Sequence, residues 1–465
     1  MYRCITTVQT AQKRGRYWED NQQENFMTST SDNIYSDANN TPPLAQAVPL
    51  GLQHVLAMFA SNVTPSIIVA GAAGLAFGGA EQVYMIQMAM LFAGIATLFQ
   101  TIGVGPVGSR LPIMQGTSFA FVGVLAGLAA TQGLSVALTS CIIAGLIHFA
   151  LGSVIISIRS WFPPLVTGLV ILAIGLYLIP VGIKYAAGGA AEFQMTAESF
   201  GSLKHWAVAL TVIIVALIVK FKASGTLSSA AILIGLIAGY VLAYILGMVS
   251  FGGVAKASWI TSLQVLPFGF EFNLGAVIAV TLISIVSAVE TVGDTSATTK
   301  AGAGRDATDD EISGATYADG LGTAVAGVFG GLPNTSFSQN VGIVGMTGVM
   351  SRHVVTIAGV IMVVCGLLPK IGAIIASMPM PVLGGGVIVM FGMVAGAGMN
   401  VMSDVKMTRR NMMIIAISLT VGLGLNLVPS AVQYLPGVWK TLATSAVAPT
   451  AFLAIVLNQI LPEDE

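Results

Sequence analysis

Residues 332–348 read LPNTSFSQNVGIVGMTG and interrupt a chain that otherwise consists of long runs of leucine, isoleucine, valine, alanine and glycine. Hydrophobic residues make up 55% of the 465 residues and charged residues only 8%, whereas soluble domains carry about 25% charged residues. This composition predicts an all-α polytopic membrane protein. A polar, proline-opened stretch at membrane depth must be buried in protein or line a cavity. The stretch therefore predicts an internal binding site.

The apolar segments predict fourteen transmembrane spans of about 20 residues each. The Lys and Arg residues are distributed unevenly over the loops of this map, ten on one side and five on the other. By the positive-inside rule, both termini are predicted to be cytoplasmic. Residues 1–45 are polar and are predicted to form a disordered cytoplasmic tail. The spans are placed near 51–73, 83–104, 113–131, 134–157, 163–183, 205–222, 227–249, 274–298, 314–330, 336–350, 354–376, 382–402, 411–428 and 440–460.

Two short sequence patterns that each occur twice predict an internal repeat. The pattern Pro-x3-Gly-x6-Gly begins at Pro164 and again at Pro381, and Thr-Ser-Phe occurs at 117–119 and again at 335–337. The matches fall in spans five and twelve and in spans three and ten. An offset of seven spans inverts the second half relative to the first, which is the plan of many secondary transporters. In such folds the substrate binds near the midplane, where broken helices of the two halves meet.

Three acids, Glu290, Asp294 and Asp319, lie well inside predicted spans. An acid within a span is costly and is a functional-site hypothesis by default. Glu290 and Asp294 are separated by four residues, so they share one helix face. A group there that takes up and releases a proton would suit an ion-coupled transporter. The alternative, a structural acid held by amides or hydroxyls, is weaker for Glu290 and stays open for Asp294 and Asp319.

The amides Gln339 and Asn340 predict recognition of a flat heterocycle. A primary amide can pair in-plane with an N–H/C=O edge, and the carboxylate of Glu290 can accept from N–H groups of the same ring. Phe119 and Phe337 occupy equivalent points of the repeat and could stack on a planar ligand, although packing is the alternative role. For Asn340 the alternative is to cap a short half-helix.

The remaining polar residues exclude several classes of protein. Gln53 and His54 lie early in span one, where we expect them to support the site. The three cysteines are too widely separated for a metal-ligand spacing or a disulfide framework. No P-loop or nucleophile elbow is present, which argues against an ATP-driven pump and most enzymes. The net charge of −1 argues against nucleic acid as a partner.

At this point the sequence resembles the nucleobase–ascorbate transporters, also called nucleobase:cation symporter-2. Their tenth-span signature, Gln-Asn-x-Gly-x4-Thr-Gly, matches residues 339–348, which is the most specific of the matches. Gln53-His54 resembles the family's first-span motif, residues 288–294 its eighth-span motif and residues 115–119 its third-span segment. The similarity covers roughly residues 48–460.

The resemblance implies an architecture of two inverted halves with seven spans each. Spans 1–4 and 8–11, residues 46–160 and 270–377, would form a core domain, and spans 5–7 and 12–14, residues 161–255 and 378–462, a gate domain. Short β-strands in spans 3 and 10 would cross near the site. Family members act as homodimers, so a homodimer is expected.

The resemblance also implies roles for the site residues. Glu290 and Gln339 would bind the base with their side chains, and the backbone at Phe119 and Ser338 would complete the contacts, with Phe337 alongside. The coupling and supporting residues would be Gln53, His54, Asp294, Asp319, Asn340 and Thr347.

These expectations combine into one hypothesis: a multi-pass protein of a bacterial cytoplasmic membrane that imports a purine base by proton symport, with no cofactor. Thr347-Gly348 is similar to purine-using members, whereas Asn340-Val341 resembles uric-acid members, so xanthine comes first and uric acid next. Gln339 disfavours uracil. Sodium is the alternative coupling ion. An anion transporter of the same fold, another nucleobase permease and a channel are the alternative functions.

Overall fold

The computed structural model describes residues 37–189, 199–403 and 405–462. The predicted tail lies outside the described residues as far as residue 36. At its described end, the carbonyl oxygens of Ala38 and Asn40 accept hydrogen bonds from Arg352 N and Ser351 Oγ. This end of the chain is therefore attached to the start of a helix in the second half.

The first half of the chain is helical apart from one short strand. Strand β1 (Gln115–Thr117) is followed by a 3-10 turn (Phe119–Phe121). A second 3-10 turn covers Arg159–Trp161. The helices are α1 (Leu44–Ala72), α2 (Ala80–Ile102), α3 (Val122–Gln132), α4 (Leu134–Leu151), α5 (Ile155–Ile158), α6 (Pro164–Tyr177), α7 (Ile179–Ala186), α8 (Leu203–Lys222), α9 (Gly225–Ser229), α10 (Ala231–Ile245) and α11 (Gly252–Lys256).

The second half repeats this alternation. Strand β2 (Asn334–Ser336) again precedes a short helix, and a 3-10 turn covers Pro429–Val432. The helices are α12 (Leu274–Ala303), α13 (Asp309–Val328), α14 (Ser338–Thr347), α15 (Arg352–Leu367), α16 (Pro369–Ala376), α17 (Met380–Val401), α18 (Arg409–Leu427), α19 (Gly437–Ala443) and α20 (Val447–Ile460).

The described helices confirm a polytopic membrane protein but not the number of spans. Eight are long and apolar enough to cross a membrane if α6 and α7 count as one, and nine if α15 and α16, bent by 78°, also count as one. Helix is present in each of the fourteen predicted segments. Several segments are divided into pieces too short to count singly, so fourteen crossings stay a prediction.

Strands β1 and β2 form a two-stranded antiparallel sheet in the interior. Gly116 pairs with Thr335, and Thr117 pairs with Asn334. The predicted strands in spans 3 and 10 are therefore present and in contact. Each strand leads into a half-helix, and α14 ends where Gly348 adopts a left-handed backbone with φ 66°, a conformation that glycine adopts at low cost.

Close helix packing surrounds this sheet. Helix α2 packs along α15, and α4 packs along α13. A Cβ at Gly94 would lie 2.6 Å from the Gly359 carbonyl oxygen, and one at Gly145 would lie 2.5 Å from Ala324 N. Glycine at these positions lets the helix backbones approach closely, which is typical of helix pairs in membranes.

Candidate functional site

The two strands can pair only because Gly116 of β1 carries no side chain. A Cβ at Gly116 would lie 2.4 Å from Phe337 Cε2, 2.7 Å from Met58 Cε and 2.8 Å from Asn62 Oδ1. Asn62 itself accepts hydrogen bonds from Thr117 N at 2.8 Å and from Thr117 Oγ1 at 3.2 Å. Helix α1 thus fixes β1 at the depth where the two strands pair.

A cavity of about 130 Å³ lies beside the paired strands. One wall is polar and is formed by β1, β2, α12 and the start of α14. Its residues are Thr117, Phe119, Glu290, Thr335, Ser336, Phe337, Ser338 and Gln339. The opposite wall is mostly apolar and belongs to α6 and α17. Its residues are Ile171, Ile174, Met393, Val394 and Ala397.

Glu290 and Gln339 line this cavity from two different helices, α12 and α14. Both side chains are only partly buried. Among the described residues, neither the Glu290 carboxyl group nor the Gln339 amide forms a hydrogen bond with a side chain or with the backbone. Both groups are therefore available to a ligand.

Asp294 differs from Glu290, one helical turn away, because its carboxylate already has hydrogen-bond partners. It accepts from Ser336 Oγ at 3.0 Å and from Ser338 Oγ at 2.8 Å. These bonds attach α12 to the end of β2 and to the start of α14. Asp294 holds the residues that line the cavity without lining it itself.

Asp319 also joins separate elements. Gln115 Nε2 donates to its Oδ1 at 2.6 Å, and the Thr291 hydroxyl donates to its Oδ2. Asp319 is fully buried. The hydrogen bonds connect α13 to β1 and to α12, so this acid holds together the elements that carry the polar wall.

Asn340 and His54 form a second connection behind the cavity. Asn340 Nδ2 lies 3.0 Å from His54 Nδ1 and donates to the His54 carbonyl oxygen at 3.1 Å. Asn340 Oδ1 is buried and has no partner among the described residues. The neighbouring Gln53 Nε2 donates to Ser229 Oγ at 2.8 Å, so it contacts α9 and not the site. Thr347 Oγ1 donates to the Ile343 carbonyl oxygen of its own helix.

The two phenylalanines predicted to stack on a ligand both line the cavity. Phe337 is held against Gly116 of β1. The ring of Phe119 meets the ring of Phe391 edge to face, with centroids 5.3 Å apart. Each ring therefore has packing partners and also a surface towards the cavity.

Sequence reasoning missed two residues that organise the site. Asn62 positions β1, and the Tyr177 hydroxyl donates to the Phe119 carbonyl oxygen at 3.2 Å. A buried amide within the apolar first span was a signal for Asn62, because such groups need partners inside a membrane. No comparable signal marks Tyr177 among the apolar residues of α6.

The apolar helices and an internal cavity with one polar wall are the features of a polytopic membrane permease. A sequence model of a permease family matches residues 45–431. The chain belongs to this family, nucleobase:cation symporter-2. This confirms the resemblance found in the sequence and the prediction of a transporter instead of an enzyme.

Individual relatives cover nearly the whole chain. The xanthine permease of Bacillus subtilis (strain 168) is 34% identical over 417 residues, which span 89% of this chain and 93% of the relative. The uric acid permease PucK of the same organism is 37% identical over 415 residues, which span 89% and 95%. The two relatives thus differ in the base that their names give while being similarly close to this chain.

A solved structure with a similar fold is the transmembrane domain of the cyanobacterial bicarbonate transporter BicA. It aligns with a TM-score of 0.59 over 89% of this chain and 97% of that chain, at 14% sequence identity. At this identity the likeness concerns the fold alone.

Proposed function

We propose that the chain imports a purine base, with xanthine as the first candidate and uric acid as the second, by proton symport with alternating access. The observation that carries the proposal is the presence of Glu290 and Gln339, both without hydrogen-bond partners among the described residues, in one cavity. Membership of the nucleobase:cation symporter-2 family supports it, as do the names of the two relatives.

The cavity offers complementary groups to a flat ring of alternating N–H and C=O groups. The carboxylate of Glu290 accepts from ring N–H groups, and the Gln339 amide pairs with an N–H/C=O edge. Phe119 and Phe337 lie against the faces of the ring, and the backbone at Phe119 and Ser338 completes the contacts. The apolar wall of α6 and α17 excludes water from the bound base.

We assign proton coupling to Glu290 in the polar wall and to the acids behind it. The Glu290 carboxyl group has neither a hydrogen bond nor an ion pair with a described residue, and its charge would be costly at membrane depth. Proton binding there would neutralise the loaded site and favour its movement. Asp294, Asp319, His54 and Asn340 support this site through the hydrogen bonds described above. Sodium is the alternative coupling ion.

The proposed architecture has fourteen spans in two inverted halves, with both termini in the cytoplasm. The strand register supports a two-fold relation: shifting each residue by the 218 positions that separate Thr117 from Thr335 turns the pair Gly116–Thr335 into the pair Thr117–Asn334. The pairing of α2 with α15 and of α4 with α13 has the same symmetry. The core and gate domains keep the boundaries predicted from the sequence, and the protein is proposed to act as a homodimer in the lipid bilayer.

The test is uptake of radiolabelled xanthine by cells that express Glu290→Gln. We expect transport to be abolished while the variant stays in the membrane, because an amide keeps the size of the side chain but cannot carry the proton. Glu81→Gln, the same change at an exposed glutamate, is the matched control and should transport normally. Undiminished uptake by Glu290→Gln would refute the assignment.

A competition assay decides among the substrates. Unlabelled xanthine, uric acid, guanine, hypoxanthine and uracil are tested against labelled xanthine, with and without a protonophore. Inhibition by uric acid at a lower concentration than by unlabelled xanthine would move the assignment to uric acid. The alternative of an anion transporter of this fold is opposed by the carboxylate of Glu290 in the cavity. Bicarbonate transport without any purine effect would favour it.

A further inference from the structure

The hydroxyl group of Tyr177 connects the two walls of the cavity. Tyr177 ends α6, which carries part of the apolar wall, whereas Phe119 and Gly123 belong to the segment that carries the polar wall. The hydroxyl donates to the Phe119 carbonyl oxygen at 3.2 Å and accepts from Gly123 N at 3.0 Å. Tyr177 is buried, so this pair of hydrogen bonds is shielded from solvent.

One of the two hydrogen bonds satisfies a group that the half-helix leaves open, the N–H of Gly123, whereas the Phe119 carbonyl oxygen also accepts from Val122 N. Gly123 is the second residue of α3, and the first N–H groups of a helix have no partner within it. No side chain of the preceding residue caps α3. The Tyr177 hydroxyl, which belongs to another helix, therefore accepts the hydrogen bond that a capping side chain would normally accept.

The absence of a side chain at Gly123 makes room for this contact. A Cβ there would lie 3.1 Å from Tyr177 Cε2 and 3.3 Å from the hydroxyl oxygen. A second side chain of the apolar-wall helices, Phe391 of α17, meets the ring of Phe119 edge to face. The segment at Phe119 is thus contacted from α6 and from α17, and the Tyr177 bonds are the polar part of this contact.

We propose that Tyr177 is a positioning residue that holds the Phe119 segment against the gate helices, closes this end of the cavity and thereby stabilises the conformation of the structure. The inference rests on the alternating-access part of the proposed function. If the core domain moves relative to the gate domain, the hydroxyl must release Phe119 and Gly123 when the opposite conformation forms. With cytoplasmic termini, α3 and α6 both run outwards, so the contact closes the outer side.

The test measures access to the cavity and does not depend on the substrate. In a background with Cys4, Cys141 and Cys365 replaced by alanine, Ala397→Cys introduces a thiol into the cavity lining. A membrane-impermeant maleimide is applied to right-side-out and to inside-out vesicles. Tyr177→Phe removes only the hydroxyl group. The matched control is Tyr185→Phe, because Tyr185 is equally buried and its hydroxyl has no hydrogen bond to a described residue.

Loss of two hydrogen bonds should shift the equilibrium between the two conformations by about tenfold. We therefore expect Tyr177→Phe to raise labelling from the outside and to lower it from the inside, while Tyr185→Phe leaves both rates unchanged. General loosening of the packing would raise both rates. Equal labelling of Tyr177→Phe and Tyr185→Phe at both faces, or a rise at both faces, would overturn the proposal.

A second variant keeps the test valid if Tyr177→Phe does not reach the membrane. Gly123→Ala retains the hydroxyl but crowds the tyrosine ring, so it should change labelling in the same two directions by a smaller factor. In the double variant the effects should not add, because both changes break one contact. Additive effects would overturn the proposal. If the protein does not transport purines but the expected changes in labelling are observed, the proposed substrate is refuted and this inference stands.

Discussion

Asp319 provides the sharpest test of how the polar wall is held together. Its two carboxylate oxygens accept from Gln115 Nε2 and from the Thr291 hydroxyl, and it is fully buried. Two substitutions separate its hydrogen bonds from its charge. Asp319→Ala removes both acceptors, whereas Asp319→Asn keeps an oxygen for Gln115 and can donate an N–H to Thr291 Oγ1.

The structure gives the size of the expected difference. A buried donor that loses its acceptor costs about 1–3 kcal/mol of folding free energy. In Asp319→Ala the Gln115 amide is left without this acceptor, while the Thr291 hydroxyl can still donate to the Ser287 carbonyl oxygen at 3.3 Å. We therefore expect a loss of about 1–3 kcal/mol for Asp319→Ala and a clearly smaller loss for Asp319→Asn, which keeps a partner for both groups.

Thermal unfolding of the detergent-purified protein, followed by fluorescence-detected size exclusion, measures this difference. Asp319→Ala should show a clearly lower apparent Tm, with Asp319→Asn close to the unmodified protein. Asp306→Ala, the same truncation at an exposed acid, is the control. If Asp319→Ala is as stable as Asp306→Ala, or if both substitutions of Asp319 destabilise equally, the assigned hydrogen bonds do not hold the wall.

Two further predictions concern the crossing strands and the cap of α13. Gly116→Ala should abolish transport and reduce the amount of folded protein, because its Cβ would overlap Phe337, whereas Gly127→Ala, which meets no atom within 4 Å, should do neither. Burial would raise the pKa of Glu311, but hydrogen bonds from Arg305 and from the helix cap outweigh burial and hold it below its usual range. Glu311 thus stabilises the fold above its unfolded-state pKa, and this stabilisation is lost as the pH falls through the lower folded-state value. Glu311→Gln should therefore lower the apparent Tm at pH 7 and match the unmodified protein only once the pH has fallen below that lower folded-state value; a gap that stays the same down to the most acidic pH at which the protein remains folded would contradict the assignment.

The sequence predicts a buried polar site because the membrane restricts the choices, whereas the two short strands were expected from the family resemblance. A stretch such as residues 332–340 cannot remain an unbroken lipid-facing helix, so it had to be buried. Pairing of β1 with β2, and the joint exposure of Glu290 and Gln339 to one cavity, agree with this reasoning. The count of crossings is harder to predict, since breaks such as the one at Leu178 divide the apolar segments.

Contacts between distant segments are beyond what a single sequence gives. Asn62 meets Thr117 across 55 positions, and Tyr177 meets Phe119 across 58. Many other polar groups lie in the spans, and nothing in their order says which of them pair. The same limit left the roles of Asp294 and Asp319 open until their hydroxyl and amide partners were located.

In each half of the chain a half-helix follows the short strand, but the first N–H groups of the two half-helices differ in their hydrogen bonding. In the first half, the N–H of Gly123 at the start of α3 is already bonded to the Tyr177 hydroxyl. In the second half, no side chain of the described residues caps the start of α14, where Ser338 and Gln339 line the cavity. A ligand that needs hydrogen-bond donors will therefore find them at α14, beside the carboxyl group of Glu290. The two half-helices that follow the paired strands thus differ: the start of α3 is bonded to Tyr177, whereas the start of α14 faces the cavity.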